Sequence, residues 1–187
     1  MSNPESLTNQ FLIAMPGLDD ANFHHTVTYL CQHGLEGAMG IVINRPSGLR
    51  LNDILEQLEI SDSALPSAEQ PIYIGGPVQT DRGFVLHTSG GEWDSTLQIT
   101  STISITTSRD ILDAIAKGKG PEKSLIALGY AGWGVGQLEQ EMSANAWLNG
   151  PAPENVLFDL PAEARWEAAA KALGIDLNLL SGEAGHA

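Results

Sequence analysis

One cysteine, Cys31, stands in a chain of 187 residues. That excludes an internal disulfide framework and fits a reducing cytoplasm. Positive charge is nearly as scarce: nine Lys and Arg face 23 Asp and Glu, a formal net charge of −14. Nucleic-acid binding rests on clustered Lys and Arg that neutralise phosphates, and here Arg45, Arg50, Arg82, Arg109 and Arg165 are scattered. Lys117, Lys119 and Lys123 are the one concentration, and they follow a helical pattern whose negative dipole end suits them. Direct nucleic-acid binding is therefore disfavoured. No apolar run approaches the roughly 20 residues that a membrane helix needs. Met1 to Gln10 is polar, with Glu5 as its charge, unlike a basic-then-apolar leader. The expectation is a soluble cytoplasmic protein.

Strong chemical signatures are missing too. The chain has no Gly-x-x-x-x-Gly-Lys-Ser/Thr, His-Glu-x-x-His, Cys-x-x-Cys or Gly-x-Ser-x-Gly. Gly132 and Gly134 do not open a Gly-x-Gly-x-x-Gly dinucleotide turn, because Gln137 stands at the third glycine's place. No cofactor, metal or catalytic residue follows from motifs.

What is present describes one domain, residues 1–187, long enough to bury a core without disulfide or metal staples. Phe11–Met15 is a short apolar strand stopped by Pro16-Gly17. Thr26–Gln32 and Gly40–Asn44 form a hairpin about the turn His33–Gly37, closed by Arg45-Pro46. Leu51, Ile54, Leu55 and Leu58 have helical spacing. Ser61–Gln70 is a polar connection, followed by strands at Pro71–Ile74 and Gly83–Thr88. Thr96–Thr107 has the pattern of one long half-exposed strand with a bulge at Ser101-Thr102. Thr107–Asp110 fits a capping box opening a helix with Ile111, Leu112 and Ile115 inward. Ser124–Leu128 is a strand feeding a glycine bend and a helix start. Ala146–Leu148 and Val156–Phe158 are short strand candidates. Pro161 opens a helix over 162–173, capped by Gly174, and Ser181–Ala187 is a frayed tail. Most connections are too short for crossovers, so neighbouring strands are antiparallel. The fold class is α+β, with a largely antiparallel, curled sheet.

The candidate site centres on Gly129–Trp147, where glycines, aromatics and a helix start coincide. Tyr130, Gly132, Trp133, Gly134, Gly136, Gln137 and Glu139 are its candidate ligand-binding residues. Asn44 and Arg45 join them, because an arginine beside a rigid proline can hold a carboxylate or phosphate. Each has a plainer alternative. Arg45 can serve a structural ion pair, and the aromatics can pack over glycines. Glu139 and Glu141 can act as a carboxylate pair, yet residues two apart on a helix point to different sides. Cys31 with His24, His25 or His33 can form an activated thiol, yet its apolar strand suits an inert core cysteine. The His24-His25 pair is a weak metal signal with no third ligand at recognised spacing.

Several blocks together carry a family resemblance. They are Phe11–Leu18, Tyr29-Leu30-Cys31, Gly37–Pro46, Gly75-Gly76-Pro77-Val78, Thr106-Thr107-Ser108 and Gly129–Trp147, and they resemble the AlgH/YqgE family of bacterial proteins nearly end to end. The resemblance implies an α+β fold with a bifurcated sheet curled into a pseudo-barrel and flanked by helices. It implies no established reaction, cofactor or catalytic residue. One branch is named for a genetic link to alginate production and described as a candidate transcriptional regulator. The expected function is thus a regulatory binding module for a small anionic ligand or a protein partner. The alternatives are a hydrolase-type enzyme using Gly129–Glu141 and, behind it, a direct DNA-binding regulator.

Overall fold

The computed structural model describes residues 6–59 and 66–184. Its elements run β1 (Gln10–Ala14), β2 (Val27–Gly34), β3 (Gly37–Val42), β4 (Pro46–Arg50), α1 (Leu51–Gln57), β5 (Pro71–Ile74), β6 (Val78–Thr88), β7 (Thr96–Gln98) and β8 (Ile103–Thr106). Then come α2 (Arg109–Ala116), β9 (Ser124–Trp133), α3 (Gln137–Ser143), β10 (Trp147–Pro151), α4 (Ala162–Lys171) and α5 (Leu177–Ala184).

The main sheet has the order β10-β1-β2-β3-β9-β6-β8-β7, with β5 and then β4 branching from β9. Strand β9 is the trunk. It holds β6 on one edge, while the other edge pairs with β5 along Ile126–Leu128 and with β3 along Ala131–Trp133. The sheet forks there, as the family resemblance implied. Twist then brings its two ends over a common core: Phe11 and Ile13 of β1 pack in the same cluster as Ile103 and Ile105 of β8. Helix α4 closes that core from one side with Ala169 and Ala170. A second core lies under α1 and α2, whose Leu51, Leu55, Ile111, Leu112 and Ile115 meet Ile72, Val85 and Ile126. The fold is α+β, mainly antiparallel and half-barrelled.

Several local expectations give way to tertiary context. The long strand over 96–107 is a hairpin. Ser101-Thr102 is its turn, not a bulge, because the Thr100 hydroxyl accepts the N–H groups of Thr102 and Ile103 and folds the chain back. The Val156–Phe158 strand is a π-helical turn over Asn155–Asp159, burying Val156 and Leu157; a run this short does not distinguish helix from strand. The glycine bend is continuous strand, since β9 runs through Gly129 to Trp133 before turning. Strand β5 lies parallel to β9, an exception to the antiparallel rule that the long path through β6, β7, β8 and α2 permits. Strand β4, with Pro46 at its start, is an unexpected edge. The cap of α2 is Ser108, while the Thr107 N–H goes to the Ser95 carbonyl. Helix α5 reaches Ala184, so the expected frayed tail is helical over its first part. Residues 185–187 of that tail, and 60–65 of the polar connection, lie outside the described residues.

One buried group makes stability depend on pH. His87 is 2% exposed. Its Nδ1 meets the Thr88 carbonyl at 2.9 Å, so Nδ1 carries the proton and Nε2 accepts from the Thr106 hydroxyl at 2.7 Å. Burial lowers its pKa below 6.5, against the opposing Thr88 bond. A histidine depressed in the folded state contributes fully above its unfolded pKa and loses that contribution as pH falls through it. The melting temperature is expected to hold down to about pH 7 and then decline as the pH falls through 6.5. His87→Gln should flatten that decline, and calorimetry across the range checks it.

Candidate functional site

Helix α3 follows a tight turn in which Gly136 takes φ +72 as its N-cap, a left-handed conformation that glycine adopts without cost to a side chain. The turn aims Gln137 and Glu141 back at β9. The Gln137 amide oxygen accepts the Gly134 N–H at 3.0 Å, and its amide nitrogen donates to Glu141 Oε2 at 2.9 Å. Glu141 Oε1 accepts two indoles, Trp133 Nε1 at 3.1 Å and Trp147 Nε1 at 3.0 Å. Both tryptophans are buried and stand edge to face, 6.1 Å apart, with Phe23 against both. The centre of the candidate stretch is thus a closed clasp, with every Glu141 oxygen engaged.

Glu139 turns the other way. Its Oε2 lies 3.2 Å from His33 Nε2. The Leu7 N–H donates to His33 Nδ1 at 2.9 Å, so in the neutral ring Nε2 carries the proton and donates to Glu139. The Glu139 carboxyl is held below its ordinary pKa by its own backbone N–H first, with His33 adding to that against partial burial. The two glutamates diverge, as their spacing on a helix requires.

Asn44 and Arg45 are elsewhere. Ala38 pairs with Trp133 at one end of β3, and Asn44 lies past the other end, roughly 20 Å away at strand rise. Asn44 bridges the Val27 N–H and the His25 carbonyl. Arg45 donates Nη1 to the Asn22 carbonyl and Nη2 to the Ala21 carbonyl, each at 2.6 Å. Its role here is to pin the loop after β1. The structure does not bring these two residues together with Gly129–Glu141.

Tyr130 and Trp133 leave β9 on opposite faces. Trp133 joins the cluster under α3, whereas Tyr130 packs edge to face on Phe84 at 5.5 Å and borders the concave side. Gly132 and Gly134 are exposed along the rim between them.

On that concave side the half-barrel stays open. A groove of about 700 Å³ runs between the β2–β3 hairpin and β7, lined by His33, Leu35, Met39, Leu97 and Ile99 among others. It continues past Tyr130, Arg82 and Asp94. Strand β7 pairs only with β8 among the described residues, so its second edge faces the groove. All three β7 residues are exposed. Leu35 is 67% exposed and Leu97 43%. The sequence offered one overlooked signal for this place: Leu35 is an apolar residue at the tip of a polar turn.

Cys31 is the extra residue of a bulge in β2, between Leu30 and Gln32. It is buried, its thiol faces the Tyr29 carbonyl at 3.7 Å, and burial pushes its pKa up, the reverse of an activated thiol. His24 and His25 stack at 3.8 Å, with His25 on Trp166 at 4.0 Å. No group of three His, Cys, Asp or Glu that could hold a metal occurs among the described residues. No described helix is long and apolar enough to cross a membrane.

Comparison with known proteins agrees over the full length. The model of the AlgH-like family (DUF179) matches residues 11–178. A UPF0301 protein of Thioalkalivibrio sulfidiphilus is 57% identical over 187 residues, covering all of both chains. The UPF0301 protein AlgH of Pseudomonas aeruginosa is 59% identical over 189 residues, covering 100% of this chain and 98% of that one. The solution structure of the AlgH protein from Pseudomonas aeruginosa superposes with a TM-score of 0.81 at 57% identity, covering 100% of this chain and 99% of that one. A crystal structure from Corynebacterium diphtheriae, at 18% identity and a TM-score of 0.73 over 97% and 94% of the two chains, shares the fold alone.

Proposed function

The chain belongs to the AlgH-like family, and from that premise we propose that it is a cytoplasmic regulatory binding module that grips an extended segment of a protein partner. The observation that carries this is the seam where, among the described residues, the second edge of β7 has no strand partner and faces the β2–β3 hairpin across a groove. A sheet edge presents a row of N–H and C=O groups that another strand can satisfy, while alternate side chains enter pockets beside it. Leu35, Met39, Leu97 and Ile99 supply apolar pockets. Glu36 at the groove and the net charge of −14 favour a segment carrying Lys or Arg between apolar residues, while at the continuation Arg82 offsets Asp94. The same charge works against a phosphate backbone as partner, so an effect on transcription would run through the bound protein. The hydrolase alternative draws no support from Cys31, Glu139 and Glu141, which point three separate ways.

Selection of random peptides against the purified protein tests this. Enriched peptides are expected to alternate apolar and basic residues and to shift the amide signals of Thr96, Leu97 and Gln98. The exposed double variant Leu35→Ser/Leu97→Ser should weaken them by about tenfold or more, about 1.4 kcal/mol, with the fold intact. Peptides that bind the double variant as tightly would sink the proposal.

A further inference from the structure

We infer that the cavity walled by α4, β5, β9 and the loop after α2 binds a small oxyanion, a carboxylate or phosphate group, with Arg165 on its floor and Lys123 at its mouth. The site is separate from the β7 seam and does not depend on it. It measures about 460 Å³, within the range of small-molecule sites. Gln70, Tyr73, Ser124 and Phe158 line it with the two cations, and Gly118 and Gly120 form one lip.

The argument starts from Arg165, which is only 3% exposed. Its Nε donates to the Leu160 carbonyl at 3.0 Å and its Nη1 to the Ile43 carbonyl. The guanidinium also lies 5.0 Å over the Tyr73 ring. Two carbonyls occupy two of its five N–H groups, which leaves donors for a bidentate partner. Carbonyls and a phenol solvate the positive charge without cancelling it, and buried charges are normally paired. Among the described residues no carboxylate lies within ion-pair distance of Arg165. Burial lowers its pKa; the Tyr73 phenol opposes that first, by its charge and a side-chain hydrogen bond, and Asp159 and Glu163 add to it only through space. A ligand oxyanion would supply the missing counter-charge.

The other charges define which anion fits. Lys123 Nζ pairs with Asp159 Oδ2 at 2.9 Å near the surface, and Glu122 borders the same mouth. The positive field is therefore confined to the floor, which favours a compact anion that reaches Arg165 over a polyanion that stays outside. Ile115, Leu125 and Phe158 add apolar wall, room for a short carbon skeleton behind the charged group.

Titration with inorganic phosphate and, separately, with succinate tests the inference by amide spectra and melting temperature. The expected result is saturable shifts at Gly118, Gly120 and the Arg165 Nε–H, with a rise in melting temperature. Lys123→Gln should raise the dissociation constant about fivefold with the fold intact, since its surface pair contributes little to stability. Arg165→Lys should abolish saturation. If that variant fails to fold, Lys123→Gln and the map of shifted signals still decide. Response to phosphate alone assigns a phosphoryl ligand, and response to succinate alone a carboxylate. No saturable response to either, shifts confined to other surfaces, or an unchanged constant in Lys123→Gln would overturn it.

Discussion

Gly76→Ala should lose about 3–5 kcal/mol of stability, a large share of what a domain possesses. The cause is a backbone crossing. Where β5 ends against β9, a Cβ on Gly76 would lie 2.1 Å from the Tyr130 carbonyl carbon and 2.4 Å from the Ala131 nitrogen. Neither can move without breaking the trunk strand. Its φ of +156 adds strain for any side chain. Gly129 answers from the other side, at φ +78, with the Gly76 carbonyl 2.5 Å from its own would-be Cβ. Gly136→Ala is the control. It also has positive φ, +72, but open space around it, so its cost is the conformational one alone, about 1–2 kcal/mol. Urea denaturation separates the two, and equal midpoints would refute the crossing as the cause.

Glu141→Ala is expected to cost about 3 kcal/mol or more, because it strips the acceptor from two buried indole N–H groups and from the Gln137 amide at once. Glu141→Gln should cost only about 1 kcal/mol. Its amide oxygen can still accept both indoles, and the one bond lost is that from Gln137. Gln137 cannot rotate to compensate, since its oxygen is held by the Gly134 N–H. Equilibrium unfolding followed by tryptophan fluorescence reads this directly. If alanine and glutamine cost the same, the clasp is not what holds α3 to β9.

Much of the fold was legible where local and tertiary demands coincide. The β2–β3 hairpin has β-branched strands around a glycine turn, and α2 has its apolar residues at helical spacing. Both were evident from residues alone. What escaped was imposed from a distance. Nothing in Pro46–Arg50 favours a strand until β5 offers an edge, and Gly129 and Gly132 weaken a strand locally while the neighbours of β9 demand one. The candidate site was legible in part. Trp133, Gln137 and Trp147 fell in one stretch, but their convergence on Glu141 needs the turn at Gly136. Asn44 and Arg45 stood out as candidate ligand holders, with an acid as the plainer partner for Arg45, whereas the backbone carbonyls that Arg45 meets instead leave no trace in a sequence. Leu97 looked like one more half-exposed strand position because the turn at Thr100 was not recognised, and the seam beside it was hidden with it.

The trunk strand also has a consequence for how the protein is made. A chain leaving the ribosome emerges N-terminus first, and its β1–β3 meander appears long before either flanking partner. Strand β3 waits for Ala131–Trp133, and β1 waits for Trp147–Pro151. Contacts so distant in sequence form late, and unpaired edges invite association with other chains meanwhile. The outer edges of the first three strands therefore stay unpaired until residues 131–133 and 147–151 have been synthesised.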